Sequence, residues 1–79
     1  MDTTEIIQKV RQILISVLKH ERFEIRNDLS ASDVDGWDSL THMEIITRIE
    51  KEFNCRFKLK ELNRLNTVGS LIELIKSKL

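Results

Sequence analysis

Proline is absent from the 79 residues of this chain, and glycine occurs only twice, at Gly36 and Gly69. Because these are the residues that most often interrupt regular structure, the sequence is typical of helices joined by polar loops. The single cysteine, Cys55, excludes an internal disulfide bond and fits a reducing, cytoplasmic setting. No apolar run has the length that a bilayer requires, so we expect no membrane insertion.

An excess of charge of either sign is also missing, since 13 basic residues balance 13 acidic ones. Nucleic-acid-binding domains of this size usually carry a clear basic excess, so we expect no nucleic-acid partner. Met1 is followed by Asp2 and Glu5 rather than by the basic and apolar regions of a signal peptide, which we therefore do not expect. The length fits one small domain over residues 1–79 and leaves little space for a deep enzyme pocket beside the core.

Three segments do place apolar residues at the spacing of an amphipathic helix. We predict the first helix over 3–19, where Asp2 and Glu5 can form a capping box, and the second over 38–53, with Asp38 as N-cap. The last helix runs to the end of the chain, and its predicted core stripe is Val68, Leu71, Ile72, Ile75 and Leu79.

Shorter features complete the predicted fold. Either Asn66 or Thr67 caps the last helix, and residues 59–64 fit one short helical turn because leucine recurs there every three residues. Segment 20–37 has no helical period, and Leu29 and Val34 are its expected core anchors. The fold class is therefore all-α, a small four-helix bundle of three main helices and a short third one, with a long loop between helices one and two.

Ser39 falls in the first turn of the predicted second helix, directly after Asp38 and close to Gly36. Backbone N–H groups of a first turn lack intrahelical partners, and the helix dipole places partial positive charge there. A phosphate ester on the Ser39 hydroxyl would thus sit where a helix best tolerates an anion. As N-cap, Asp38 would fix the start of the helix and so the direction of Ser39.

The second helix also predicts an exposed apolar patch. On a helical projection the core stripe contains Ile45, Ile49 and Phe53, whereas Leu40 lies almost opposite and Met43 lies at the flank. Exposed apolar residues rimmed by charge indicate a docking patch for partners.

These residues carry a family resemblance. The stretch Gly36-Trp37-Asp38-Ser39-Leu40, followed by a helix that ends Glu50-Lys51-Glu52-Phe53, resembles the acyl carrier proteins. The tripeptide Asp-Ser-Leu by itself is weak evidence, because it also occurs by chance in unrelated proteins. Its position near mid-chain, the chain length, the all-helical pattern and the Thr67-Val68 start of the last helix extend the resemblance over almost the whole chain.

The resemblance implies that Ser39 carries a 4′-phosphopantetheine arm, installed from coenzyme A by a phosphopantetheinyl transferase. It also implies that Asp38 helps this transferase to recognise the site. It implies that the thiol of the arm holds acyl groups as thioesters for the acyl-loading and acyl-using enzymes of fatty acid, polyketide or related biosynthesis. It also implies a cytoplasmic monomer with no catalytic residue of its own. The residues implied to face partner enzymes are Leu40, Met43, Glu44, Thr47 and Glu50.

The chain departs from the family in its charge. Many members are strongly acidic, whereas this chain is neutral. The loop 27–38 remains acidic, but the region of the third helix is basic, with Arg56, Lys58, Lys60 and Arg64 against Glu61. We therefore expect dedicated partners rather than the general fatty-acid synthase set.

Several residues also fit other roles. His42 lies three residues after Ser39, but a hydrolase also needs an oxyanion hole, an orienting acid and a pocket. We expect His42 to close the core or to bond the loop, Trp37 to pack the loop on the helix, and His20 to be an exposed residue at a helix end. The aspartates of the loop fail the spacing of a calcium loop, so we expect no metal site.

Two other functions stay open. An aminoacyl or peptidyl carrier would share the fold and the arm and would differ only in cargo. An unmodified helical protein-interaction module would share the fold and lack the arm.

Overall fold

The computed structural model describes residues 2–63, 65 and 67–79. Within them lie four α-helices and no strand, which confirms the predicted all-α class. The helices are α1 (Thr3–Leu18), α2 (Ser39–Phe53), α3 (Leu59–Leu62) and α4 (Val68–Lys78), and a short 3-10 turn (Ala31–Asp33) interrupts the long loop. None of the helices in the described part combines the length and the apolar character that crossing a membrane requires.

Side-chain caps set the helix starts. The Asp2 carboxylate accepts the N–H of Glu5 at 2.9 Å and starts α1, and Thr67 caps α4 by accepting the N–H of Ser70. Of the two caps predicted for α4, Thr67 is the one observed, and Asn66 lies outside the described residues. Asn54 ends α2 in the left-handed conformation. Glycine is the commonest residue at such a position, and asparagine is the next.

The core lies between α1, α2 and α4, and α1 packs against both of the other long helices. Leu29 and Val34 reach into it from the loop and are 3% and 5% exposed, as predicted. The remaining core residues come from one face of each long helix: Ile6, Val10, Leu14, Val17, Ile45, Ile46, Ile49, Phe53, Val68, Leu71, Ile72 and Ile75.

The loop also closes over the start of α4. The carbonyl of Leu29 accepts the N–H of Val68 at 2.8 Å, and the carbonyl of Asn27 accepts the N–H of Gly69 at 3.1 Å. These N–H groups belong to the first turn of α4 and have no partner within the helix. A β-carbon at position 69 would lie 2.6 Å from the Asn27 oxygen, so only glycine lets the loop approach this closely.

Two details of the predicted packing were wrong. Leu79, assigned to the core stripe, is 58% exposed because α4 ends at Lys78 and the last residue passes beyond the bundle. The short helix predicted over 59–64 covers only Leu59–Leu62, and Arg64 lies outside the described residues.

Candidate functional site

Asp38 and Ser39 begin α2 in the arrangement that the sequence predicts. Asp38 is the N-cap, and its Oδ1 accepts the N–H groups of Leu40 and Thr41, both at 3.0 Å. Ser39 is the first helical residue and is exposed. Its hydroxyl takes part in none of the hydrogen bonds among the described residues, and the residue lies at the positive end of the α2 dipole.

Asp38 is held ionised at this position. Its pKa lies below the usual 3.8, mainly because the backbone N–H of Thr41 donates to its carboxylate. The carboxylate is thus a fixed negative charge directly beside an accessible hydroxyl.

Thr41 braces the turn on which Ser39 sits. Its Oγ1 accepts the N–H of Asp38 at 2.8 Å and donates to the carbonyl of Gly36 at 2.8 Å. Gly36 has a φ of 83°, in the left-handed region that favours glycine. Sequence reasoning missed Thr41, although its position three residues after Asp38 has the spacing of a capping box.

His42 bonds the loop, as predicted. Its Nδ1 accepts the indole N–H of Trp37 at 3.1 Å, and the two rings stack with centroids 6.2 Å apart. The proton of the neutral ring is therefore on Nε2. Burial holds the pKa of His42 below 6.5, so the ring stays neutral and keeps this acceptor near neutral pH.

His20 differs from the exposed helix-end residue that we expected. It is half-buried, and its Nδ1 accepts the N–H of Arg22 at 3.0 Å, which leaves the proton on Nε2 for the carbonyl of Asp35 at 2.7 Å. His20 therefore ties the end of α1 to the residue before Gly36. The contact spans 15 residues, and no local pattern in the sequence announces it.

The predicted docking residues follow the exposed side of α2. Leu40 is 84% exposed and Met43 is 52% exposed. Glu44 and Thr47 are exposed as well, with Glu44 paired to Arg48 at 3.4 Å.

Glu50 lies at the end of this series and is half-buried. Its carboxylate accepts the backbone N–H of Phe57 at 2.9 Å, so it also fixes the segment between α2 and α3. Phe57 is half-buried and packs against the core. Cys55 is half-buried in the same segment, and burial raises the pKa of its thiol, which fits a packing role rather than a nucleophile.

Residues of α2 line cavities of different sizes. One of about 30 Å³, close to the volume of one water molecule, is lined by residues of the loop, α2 and α4 that include Trp37 and His42. A shallow recess of about 470 Å³ joins Thr47 and Glu50 of α2 to Arg56. Residues 2–63, 65 and 67–79 contain no cluster of His, Cys, Asp and Glu side chains arranged to hold a metal ion.

Comparison with known proteins supplies an independent result. Residues 8–75 match the family described as "Phosphopantetheine attachment site". Acyl carrier proteins from two strains of Buchnera aphidicola subsp. Acyrthosiphon pisum, 5A and Tuc7, are each 33% identical to this chain over 73 residues, which are 92% of the chain and 91% of each relative.

A solved structure agrees with these relatives. The solution structure of a holo acyl carrier protein from Geobacter metallireducens superposes with a TM-score of 0.85 at 33% identity. The superposition covers 91% of this chain and 83% of the other.

Proposed function

The chain belongs to the acyl carrier protein family, the proteins with a phosphopantetheine attachment site, and we propose that Ser39 Oγ is the atom that bears the 4′-phosphopantetheine arm. The observation that carries this proposal is the exposed hydroxyl at the first residue of α2, inside the matched range 8–75. When bound, the arm supplies a terminal thiol that holds acyl groups as thioesters.

The residues around Ser39 fit such a group. In the modification, Ser39 Oγ forms a bond to the phosphorus of the coenzyme A pyrophosphate that carries pantetheine, and the bond from that phosphorus to the bridging oxygen breaks. The hydroxyl proton passes to the transferase, and the nucleotide part leaves. The resulting phosphodiester is an anion, which the positive end of the α2 dipole stabilises, while the N–H groups of Leu40 and Thr41 stay bonded to Asp38.

Asp38 has two tasks in this proposal. As N-cap it fixes the first turn of α2 and so the direction of Ser39 Oγ. As an exposed carboxylate with a lowered pKa it offers a permanent charge to a basic surface of the phosphopantetheinyl transferase.

Partner enzymes dock on the exposed side of α2 in this proposal. Leu40 and Met43 supply apolar contact beside the arm, and methionine adapts to several partners because its side chain repacks easily. Charged and polar residues then set the orientation of the partner, and these are Glu44, Thr47 and Glu50.

The wider setting belongs to the same proposal. The chain is a single carrier domain over residues 1–79, works as a monomer in the cytoplasm, and is a substrate of the transferase rather than an enzyme. Its cargo is the acyl group of fatty acid, polyketide or related biosynthesis. An aminoacyl or peptidyl cargo would use the same serine, so the mass of the native thioester distinguishes the two.

The test is the intact mass after incubation with a phosphopantetheinyl transferase, coenzyme A and magnesium. We expect a gain of one phosphopantetheine, mapped to the peptide that contains Ser39, and no gain in Ser39→Ala. The matched control is Ser32→Ala, which removes another exposed serine hydroxyl nearby in the loop. A gain that persists in Ser39→Ala moves the site elsewhere, and no gain in the unaltered chain favours an unmodified interaction module.

A further inference from the structure

We propose that the basic α3 surface, formed by Arg56, Lys58, Leu59 and Lys60, is a second docking surface that receives an acidic rim around an apolar socket on a partner enzyme. This inference rests on the proposed carrier function, because it concerns the enzymes that load or use the arm. It adds the chemistry of the partner, which neither the family nor the attachment site specifies.

No ion pair among the described residues neutralises the charge of this surface. Arg56, Lys58 and Lys60 are exposed, and none of them forms an ion pair with a carboxylate of the described residues. Within 56–60 there is no acidic residue at all. By contrast, the loop 27–38 contains Asp28, Asp33, Asp35 and Asp38 and no basic residue. The net charge of zero is therefore the sum over regions of opposite sign, of which the loop 27–38 is acidic and the segment 56–60 is basic.

Glu61, the nearest acidic residue in the sequence, forms bonds within the bundle. Its Oε1 accepts the N–H of Lys58 at 2.7 Å and the Nζ of Lys78 at 2.9 Å. The side chains of Glu61 and Lys78 are each only 23% exposed, so this pair is held against the bundle. The backbone N–H of Lys58 is the main reason that the pKa of Glu61 lies below 4.5. Its charge is compensated mainly by Lys78, with a smaller electrostatic contribution from Lys58, and in the described part of the chain it forms no ion pair with Arg56 or Lys60.

Leu59 gives the surface an apolar centre. It is 75% exposed at the start of α3, and its neighbours in the sequence, Lys58 and Lys60, are exposed as well. A leucine flanked by charges of one sign matches a socket whose rim has the opposite sign, because desolvation of the centre is combined with charge attraction at the edge.

The surface is also continuous with the docking face proposed on α2. The recess of about 470 Å³ is lined by Thr47, Glu50 and Lys51 of α2 and by Cys55 and Arg56 of the next segment. A partner seated over α2 therefore meets the basic α3 surface at Arg56.

A partner protein fits this surface better than a membrane does. One leucine and three cations give no more than the marginal, reversible attachment of a single lipid anchor. A protein socket adds shape and fixed carboxylates, which raise both the rate of association and its specificity. Attraction of this kind weakens as salt is added.

The experiment uses the holo chain in its host with a photo-reactive amino acid at position 59. We expect cross-linked peptides that are rich in Asp and Glu and come from an enzyme that acts on the thioester. The cross-link yield should fall about tenfold in Lys58→Glu/Lys60→Glu and recover when the carboxylates of the cross-linked peptide are changed to lysine. The control, Lys19→Glu/Lys76→Glu, makes the same change of charge on exposed residues outside the surface and should leave the yield unchanged.

Other outcomes overturn the inference. They are cross-links to lipid, cross-links to basic or neutral peptides, yields no higher than with the photo-reactive group at exposed position 12, or yields that the two charge reversals lower equally. Urea unfolding of each variant establishes that it is folded. The intact mass of the chain reports the arm separately, so loss of the arm with cross-linking intact counts against the attachment site and not against this surface.

Discussion

The turn that leads into the first residues of α2, residues 36–41, and the connection that leads into α3, residues 54–58, each lie at a surface that we assign to partners. The first is held mainly by its own residues, since Asp38, Thr41 and Gly36 bond one another across at most five positions. The second is held from outside, by Glu50 of α2. Local bonds form whenever α2 forms, so the geometry at Ser39 depends little on distant packing, whereas the position of α3 depends on the state of α2 and α4.

The largest effect that we expect comes from Gly69→Ala, which disturbs the contact between the loop at Asn27 and the start of α4. Glycine to alanine inside a helix usually stabilises by about 0.5–1 kcal/mol. Here the new β-carbon meets the Asn27 carbonyl at 2.6 Å. We therefore expect the sign to reverse, with a loss of about 1–3 kcal/mol from overpacking.

Urea unfolding measures this loss. The control is Gln12→Ala, which places alanine on the exposed side of α1 and should leave stability almost unchanged. A Gly69→Ala variant that is as stable as the unaltered chain would show that the loop can move away from α4 at little cost.

The next effect tests the local support at Ser39. Thr41→Val removes a hydroxyl that accepts from the Asp38 N–H and donates to the Gly36 carbonyl. We expect a loss of about 1 kcal/mol in unfolding free energy, together with slower modification of Ser39 by the transferase. Thr41→Ser keeps the hydroxyl and should retain both properties. If valine slows modification no more than serine does, the brace is not what positions Ser39.

A smaller effect concerns the external support of α3. Glu50→Ala removes the acceptor of the Phe57 N–H, so we expect hydrogen exchange at that amide to become about fivefold faster, which corresponds to about 1 kcal/mol. Glu50→Gln keeps an acceptor oxygen and should exchange at nearly the original rate. Equal acceleration in both variants would indicate that charge rather than the hydrogen bond holds the segment.

The same contrast explains what could be predicted from the sequence. The caps of Asp2, Asp38 and Thr67 were predictable because the cap side chain and the backbone N–H that donates to it lie within three residues of each other. Leu29 and Val34 were predictable as anchors because they are isolated apolar residues in a polar loop. These features depend on near neighbours in the chain.

Features that join distant positions could not be predicted in this way. The His20 bond to Asp35 joins residues 15 positions apart, and the Glu61 bond to Lys78 joins residues 17 apart. The close approach of Asn27 to Gly69 depends on how the loop crosses α4. The exposure of Leu79 depends on where α4 ends, which the apolar stripe alone does not reveal.

The smallest effect that we expect is a pH dependence at His42. Burial holds its pKa in the folded chain below the ordinary 6.5. The unfolded chain therefore binds this proton at a higher pH, so the stability that neutral His42 contributes is complete above about pH 6.5 and is lost as the pH falls through the folded pKa. Protonation also removes the Nδ1 acceptor from the indole N–H of Trp37.

The fluorescence of Trp37, the only tryptophan, measures this change and should show a midpoint below pH 6.5. His42→Asn should abolish that transition, while His20→Gln should retain it. A midpoint above pH 6.5, or a transition that survives in His42→Asn, contradicts this assignment and shows that another group changes the fluorescence of Trp37.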